Sequence, residues 1–495
     1  MALVVTLVGL SACGTTVGRR QSADASGLGQ GLGEGVGGGT GSGGMGPSAI
    51  SGSLGASGGS AAGTGVSATP GALATGESGG GVSGPSTTGV SGGGLPSVSI
   101  PPGGTIELGI ATYSDPSAVG ESGFEGAPDF NGIQTFGAMV SYFNAHGGFG
   151  GHQVDPIYYQ FPLASTTAYA TEEQGACADF TQDHHVLAAI TDRPSFDDVL
   201  TSCLGAAHVP LITDTFGYLS QSDLTNYPVY FPSEATGQRV SRNWVTGLQR
   251  EGYFAATARV GLVYCDFPTF DAVLPSLQAA ISAAGVHLAA TSEITCGSDG
   301  DVAPQIAASV LKFKSVGVDH VLLMDEGPVL TLLWPIEADS QGYAPRYGLN
   351  TFNTPAFVSG NVPAAEFHGA IGVGWWPWED VGPGQWPAPD APASLCITVL
   401  TQAGLQVNSA GGRAASLWDC GMLEFFRSVA AVAPTLSLSG IASAVNGFGT
   451  SWVSPNTFRT QLGPSRHDGA AAYRDFAYAD GCACFQYTSP TLYPM

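Results

Sequence analysis

Lysine is almost absent from this chain of 495 residues, since only Lys312 and Lys314 occur. Lys and Arg together number 15 against 39 Asp and Glu, which gives a formal net charge of −24. Nucleic acids and anionic lipids are bound through basic side chains that neutralise phosphates. The composition therefore argues against nucleic acid and anionic lipid as partners, although the acidic charge can also serve solubility alone.

Long apolar runs and catalytic motifs are also missing. After Cys13 no apolar run reaches the ~18 residues of a membrane span. No Walker loop occurs, and Gly-x-Ser-x-Gly is absent after residue 104. Neighbouring His184 and His185 point apart, and no further ligand completes a metal site. We therefore expect a protein that is not an enzyme and needs no cofactor and no metal.

Near its start the chain contains the sequence Leu10-Ser11-Ala12-Cys13, which closes a short apolar run. Small residues ending on a cysteine are typical of the cleavage and lipidation signal of bacterial lipoproteins. We expect diacylglycerol on Cys13 and a chain tethered, through lipid only, to the outer face of the cytoplasmic membrane, extracellular or periplasmic. The alternative is a chance cysteine, and the run Met1 to Leu10 lacks the basic residues with which export signals begin.

Residues 14–104 consist almost entirely of Gly, Ser, Ala, Thr and Pro. Such a segment cannot bury enough apolar surface to offset the entropy of ordering, so it is predicted to be a disordered tether. Its expected end-to-end distance is on the order of 50 Å, which suits the crossing of a cell wall. The remaining ~390 residues exceed the size of a single-core domain and suggest two lobes.

Nine cysteines occur, and eight remain once Cys13 carries lipid. An even number in an exported protein predicts disulfides, although eight cysteines allow 105 pairings. Pairing of neighbours gives three loops of roughly 25–30 residues, each worth about 3–4 kcal/mol in the chain-entropy model. These pairs are Cys177–Cys203, Cys265–Cys296 and Cys396–Cys420, and the remaining Cys482 and Cys484 would close a strained ring.

From Thr105 onward the pattern alternates between strand and helix, and the alternation restarts after residue 231. Predicted strands are 105–111, 154–161, 186–191, 209–213, 229–231, 259–264, 286–294, 319–324, 370–373, 475–478 and 484–487. Predicted helices are 129–145, 171–182, 196–206, 238–250, 271–284, 302–315, 328–340, 393–404, 413–433 and 436–445. Two such series predict an α/β protein with two parallel sheets covered by helices.

The segment from Asn144 to Val154, Asn-Ala-His-Gly-Gly-Phe-Gly-Gly-His-Gln-Val, closely resembles the helix-to-strand turn of the branched-chain amino acid type of substrate-binding proteins of ABC transporters. Asn131-Gly132, Gly317-Val318-Asp319 and Gln341-Gly342-Tyr343 also resemble elements of that family, and the likeness covers about 105–490. The resemblance implies the type I periplasmic binding fold, with two doubly wound parallel-sheet lobes joined by a multi-strand hinge. It also supports Cys177–Cys203, a spacing similar to a first-lobe disulfide of some members. The four glycines of the turn permit positive φ, so we interpret the turn as structural.

The resemblance also implies domain boundaries and partners. The first lobe would comprise 105–231 and about 376–453, and the second 232–375 and about 454–495. A small polar solute, an amino acid or a related compound, would be captured between them and passed to an ABC transporter permease by a monomeric protein. The alternative is an extracellular ligand-sensing receptor without a transport role.

Ligands of open parallel sheets bind beyond the carboxyl ends of strands, so the loops there hold the candidate residues. By resemblance, hydroxyl groups of the first lobe hold a solute carboxylate, while an aromatic side chain and an acid of the second lobe complete the site. The candidates are Tyr113, Ser114, Asp115, Ser195, Thr213, Asp214 and Thr215 from the first lobe and Phe267, Phe270, Asp325, Glu326 and Phe352 from the second. Thr and Asp after strands are equally often helix caps, and the phenylalanines can equally be core.

Three tryptophans, Trp375, Trp376 and Trp378, follow the strand predicted at 370–373, near the expected crossing between lobes. Tryptophan stacks well on sugars and aromatic ligands. Packing within the hinge is the simpler interpretation of the three side chains.

Overall fold

The computed structural model describes residues 103–113, 131–162, 167–193, 198–214, 217–296, 302–325, 327 and 329–495. Several predictions made above fall on positions outside these ranges and stay predictions. They concern the lipidated Cys13, the tether up to residue 102, and the candidate ligand residues Ser114, Asp115, Ser195, Thr215 and Glu326.

The first series of strands forms a fully parallel sheet, with five strands among the described residues, in the order β2-β1-β3-β4-β5. Its strands are β1 Thr105–Tyr113, β2 Gln153–Phe161, β3 Ala188–Thr191, β4 Leu211–Thr213 and β5 Val229–Tyr230. The intervening helices are α1 Gly132–Ala145, α2 Tyr169–Ala178, α3 Val199–Ala206 and α4 Gln221–Asn226. Separate apolar clusters cover the two faces of this sheet, as expected for a doubly wound sheet.

The second series repeats the same arrangement. Its parallel strands are β6 Val260–Cys265, β7 Leu288–Ile294, β8 His320–Met324, β9 Arg346–Asn350 and β10 Ile371–Gly374, in the order β7-β6-β8-β9-β10. Its helices are α5 Gly237–Arg250, α6 Pro268–Ala283, α7 Val302–Ser315 and α8 Val329–Ser340. We call the first sheet with its helices the first lobe and the second sheet with its helices the second lobe.

The end of the chain departs from the parallel pattern. The strands β11 Ala472–Ala479, β12 Cys484–Tyr487 and β13 Tyr493–Pro494 extend the second sheet, and each pairs antiparallel to its neighbour. The predicted strands were confirmed here, but their direction was not part of the prediction. Antiparallel neighbours need only a short turn, whereas parallel ones need a long crossover.

Five further helices of the described residues follow β9, the first of them before β10 and the other four between β10 and β11. They are α9 Pro355–Val358, α10 Pro377–Asp380, α11 Ala391–Gln402, α12 Ala410–Val432 and α13 Leu438–Phe448. The last three return to the first lobe, where Leu417, Phe425 and Val429 of α12 join the apolar cluster that contains Phe136 and Phe143 of α1. No helix of the described ranges combines the length and apolarity that a bilayer span requires.

The glycine-rich turn between α1 and β2 has a structural role. The Asn144 amide donates to Val154 O and its oxygen accepts from Val154 N, both at 2.9 Å. Gly148 and Gly150 have positive φ, and a side chain at either would collide with the carbonyl oxygen of His152 or of Ala430. The structure therefore agrees with the structural interpretation of this turn.

Four disulfides are formed among the residues that the structure describes, and they are the pairs of neighbours predicted from the sequence. Cys177–Cys203 joins α2 to α3, and Cys396–Cys420 joins α11 to α12. Cys265–Cys296 links the carboxyl ends of β6 and β7. Cys482–Cys484 closes within the turn between β11 and β12, so the ring that we considered strained is present.

The helix predicted at 171–182 was partly wrong. Regular α2 ends at Ala178, and Asp179–Asp183 forms a π-helical turn closed by His184 N donating to Asp179 O at 2.8 Å. Three strand starts were also predicted two residues early, because β3, β4 and β7 begin at Ala188, Leu211 and Leu288 and not at 186, 209 and 286. The lobe boundaries given above stay a prediction.

Candidate ligand-binding site

In each sheet, the crossovers that leave two neighbouring strands run toward opposite edges of the sheet, and the point between these two strands is called the switch point. This switch point lies between β1 and β3 in the first sheet and between β6 and β8 in the second. Ligands of open α/β sheets bind in the crevice that forms there, outside the carboxyl ends of the strands. The geometry therefore directs attention to Tyr113 and Arg193 in the first lobe and to Phe267 and Asp325 in the second.

Alternation along the strands sorts the polar residues of the first lobe onto two faces. Thr112, Asp192 and Asp214 each lie two positions after an isoleucine of the cluster that packs against α1 and α12. Because side chains alternate along a strand, they share that face. Tyr113, Arg193 and Thr213 belong by the same count to the opposite face, beside α2 and α3.

The first of these faces holds buried carboxyl groups. Thr112 Oγ1 donates to Asp192 Oδ2 at 2.7 Å, and Ser233 N donates to Asp214 Oδ1 at 2.8 Å. Burial raises the pKa of Asp192 to about 6 and the pKa of Asp214 to about 7. Near neutral pH, both groups can therefore hold or release a proton.

A third carboxyl group, Asp419 of α12, lies close to Asp192. Burial raises the pKa of Asp419 well above its ordinary value, and the nearby charge of Asp192 raises it further. Neither carboxyl oxygen of Asp419 has a hydrogen-bond partner within the described part of the chain. Burial without a partner favours the neutral acid at this position.

The opposite face is dominated by Arg193, whose side chain is 3% exposed. Its guanidinium lies 4.1 Å from the ring centroid of Phe161 and 4.7 Å from that of Tyr169. Arg193 Nη2 is 3.0 Å from Glu172 Oε2. Tyr113 is buried beside this group, and burial raises the pKa of its phenol, an effect that the charge of Arg193 opposes.

The aromatic candidates of the second lobe form one cluster around a residue of the other lobe. Tyr218 follows β4, and its ring contacts those of Phe270 and Phe352 with centroids 5.1 and 4.9 Å apart. Phe267 packs on Phe270 at 5.6 Å, and Asn350 Nδ2 donates to Tyr218 OH at 3.1 Å. The structure thus brings the three predicted phenylalanines together, buried against a side chain from the first lobe.

Two further ligand-binding candidates, Asp325 and Thr213, lie outside this aromatic cluster. Asp325 accepts hydrogen bonds from Thr331 N at 2.8 Å and from Thr331 Oγ1 at 3.0 Å, near the start of α8. This geometry resembles the helix-cap alternative considered for the acids after strands. Thr213 Oγ1 is buried without a hydrogen-bond partner among the residues that the structure describes. The ligand role of both residues stays a prediction.

Two of the three tryptophans connect the segments that cross between the lobes. Trp376 Nε1 donates to Ser233 O at 2.8 Å, and Trp378 Nε1 donates to Pro455 O at 3.1 Å. The tryptophans follow β10, Ser233 lies between β5 and α5, and Pro455 lies between α13 and β11; these three stretches are the crossing segments. All three tryptophans are buried, and Trp376 also packs on Trp418 of α12. These contacts favour hinge packing over a ligand role.

Comparison with solved structures identifies this arrangement. A branched-chain amino acid ABC transporter protein from Thermus thermophilus with bound valine aligns with a TM-score of 0.59 and 14% identity, over 79% of this chain and 96% of that one. A solute-binding protein from R. palustris with 4-hydroxybenzoate aligns with a TM-score of 0.56 and 13% identity, over 79% and 97%. The chain has the type I periplasmic binding protein fold. An extracellular ligand-binding receptor from Verminephrobacter eiseniae shares this fold with a TM-score of 0.54 and 15% identity, over 78% of this chain and 100% of that one.

These likenesses confirm the predicted fold class, and identities this low show the fold alone. No protein-family model matches the sequence, and no curated protein matches it either. The type I periplasmic binding fold places its two switch points at the carboxyl edges described above. Four residues of this region were not among the candidates predicted from the sequence, namely Glu172, Asp192, Arg193 and Asp419.

Proposed function

We propose that the protein is an extracytoplasmic solute-binding protein that captures a small polar solute, an amino acid or a related acid, between its lobes for an ABC importer. One observation carries the proposal: both sheets have their switch point at a polar edge, and Tyr218 of one lobe packs against Phe270 and Phe352 of the other. The solved structures with this fold that contain valine or 4-hydroxybenzoate support it.

The cellular setting belongs to the same proposal. A lipid on Cys13 and the Gly/Ser-rich segment would hold the folded part outside the cytoplasmic membrane, within reach of a permease. Closure of the two lobes would order the cleft and present a surface to that permease. We propose a monomer that binds its solute without altering it, because two of the solved structures that share this fold are named as a solute-binding protein and as a ligand-binding receptor.

The proposal is tested by identifying what binds. Mass spectrometry of the natively purified protein should find a co-purifying small solute. A thermal-shift screen should then include leucine, valine, 4-hydroxybenzoate and the amides of these acids. A ligand present at 100 times its Kd stabilises the folded state by about 2.7 kcal/mol. Turnover of the bound compound, or no stabilisation by any small solute, would contradict the proposal.

Sensing without transport is the second candidate. It is favoured by the likeness to the protein from Verminephrobacter eiseniae that is named as an extracellular ligand-binding receptor. Reconstitution distinguishes the two functions, because only a transport protein stimulates ATP hydrolysis and solute uptake by its permease in vesicles. A receptor would bind the same solute and leave uptake unchanged.

A further inference from the structure

We infer that Arg193 and Tyr113 form the subsite that binds the carboxylate of the solute. The inference rests on the proposed function and names the chemical class that the cleft selects. It replaces the hydroxyl set expected from sequence with a buried guanidinium and a phenol. Both residues lie at the switch point of the first sheet, where Tyr113 ends β1 and Arg193 follows β3.

The first argument is that donors in this place lack acceptors. Arg193 Nε and Nη1 are buried without a hydrogen-bond partner in the part of the chain that the structure describes. The Tyr113 hydroxyl lies against this guanidinium, which has no acceptor to offer to the hydroxyl hydrogen. A buried polar group without a partner is costly, because it has lost water and gained nothing in return. A carboxylate supplies acceptors only and can accept from several N–H and O–H groups at once.

The second argument is that Arg193 is held in one orientation. Phe161 and Tyr169 lie within 5 Å of its guanidinium carbon, at 4.1 and 4.7 Å. Glu172 Oε2 lies 3.0 Å from Arg193 Nη2 as an ion pair, and neither Glu172 carboxyl oxygen makes a hydrogen bond within the described residues. The two rings and the ion pair together hold the guanidinium in place. A positioned guanidinium is the group that recognises planar carboxylates.

The third argument concerns the charge of the anion. Glu172 lies on Arg193, and Asp192 precedes it in the chain. These acids already balance much of the local positive charge, and like charges at close range oppose a further doubly charged anion. The site therefore suits a singly charged carboxylate better than a phosphate.

The test uses calorimetry to measure how tightly small probe molecules bind to the wild-type protein and to the variants Arg193→Gln, Arg193→Lys and Tyr113→Phe. The probes are leucine, valine and 4-hydroxybenzoate, their amides leucinamide, valinamide and 4-hydroxybenzamide, and inorganic phosphate. Hydrogen bonds to a charged group correspond to about 10- to 100-fold in affinity. We expect at least one acid to bind wild type about 10- to 100-fold more tightly than its amide, and Arg193→Gln to remove that difference.

Two further variants separate binding from folding. Arg193→Lys keeps the charge but loses the planar fork, so it should retain part of the preference for the acid. Arg242→Gln removes an exposed arginine of α5 and should leave the preference unchanged. Thermal unfolding of each variant shows whether it is folded before its affinity is compared.

Several outcomes would overturn the inference while leaving the proposed function intact. They are tight binding of the amides or of phosphate with no preference for an acid, or an unchanged preference in folded Arg193→Gln and Arg193→Lys. The inference would also be wrong if the only solutes that co-purify with the protein and bind to it are neutral. If no small solute of any class binds, the proposed function fails together with the inference.

Discussion

At the scale of single residues, the first lobe is distinguished by carboxyl groups that are buried near the carboxyl edge of its sheet. Asp192, Asp214 and Asp419 are each at most 1% exposed. Burial also raises the pKa of Glu379, in the crossing segment at α10, to about 8. Burial disfavours the ionised form of a carboxyl group, so each of these groups takes up a proton at a higher pH than an exposed carboxyl group does.

This burial predicts how stability depends on pH. Asp214 has a pKa of about 7 in the folded chain, against an ordinary value of 3.8. Between these values the folded chain holds a proton that the unfolded chain has released, so the free energy of unfolding falls as pH rises. One such group contributes at most about 1.4 kcal/mol per pH unit. Chemical denaturation between pH 4 and pH 8 should therefore show the highest stability at the acidic end of this window.

Asp214→Asn should make the decline shallower by up to about 1.4 kcal/mol per pH unit below pH 7. The asparagine oxygen can still accept the hydrogen bond from Ser233 N, so the variant removes the titration and keeps the contact. Asp155→Asn, at an exposed position of β2, controls for the loss of one charge. Stability that rises with pH over this window in wild type, or equal slopes in all three proteins, would contradict the argument.

Much of the candidate site follows from strand alternation, and the rest depends on packing. The sequence located the loops after β1, β3, β4, β6 and β8 but could not tell which side chain of each loop is partnered. A lone acid in the apolar stretch from Leu417 to Leu423 of α12 is a signal for Asp419 that sequence analysis did not use. No sequence signal pairs Arg193 with Glu172, because the two residues meet only when α2 packs beside β3.

At the scale of elements, apolar periodicity predicted the regular helices and strands well, whereas short or irregular elements were not predicted. The helix Val302–Ser315 and the strand Cys484–Tyr487 were predicted with the bounds that the structure has. The short helix α4 was missed, although Ser220 and Asp223 form a capping box that the sequence displays. The π-helical turn after α2 could not be predicted, because it depends on backbone bonds and not on an apolar period.

The disulfides provide a prediction for pairs of elements. Cys396–Cys420 spans 24 positions, whereas Cys482–Cys484 spans two. In the chain-entropy model, the longer loop stabilises by about 3–4 kcal/mol and the shorter one by under about 2 kcal/mol. The double variant Cys396→Ser/Cys420→Ser should therefore lose more stability in denaturant than the matched control Cys482→Ser/Cys484→Ser. A larger loss in the control would show that loop length does not govern these bonds.

At the scale of the whole molecule, the two lobes repeat one topology and meet through three crossing segments. Trp376 and Trp378 join the middle segment to the other two through Ser233 O and Pro455 O. Arg239 of α5 donates to Asp468 Oδ2 at 2.6 Å, and Asp468 also accepts from Thr236 N at 2.9 Å. These hydrogen bonds tie the three crossing segments to one another.

Solute binding should therefore change the relation between the lobes more than the lobes themselves. We expect small-angle X-ray scattering of the full chain to show a smaller radius of gyration when a saturating solute is added, because hinge closure brings the lobes together. Arg193→Gln at the same solute concentration should show no change, whereas Arg242→Gln should match wild type. A radius that stays constant in wild type, with calorimetry confirming saturation, would mean that the site is complete before the solute arrives and that the crossing segments act as a fixed support.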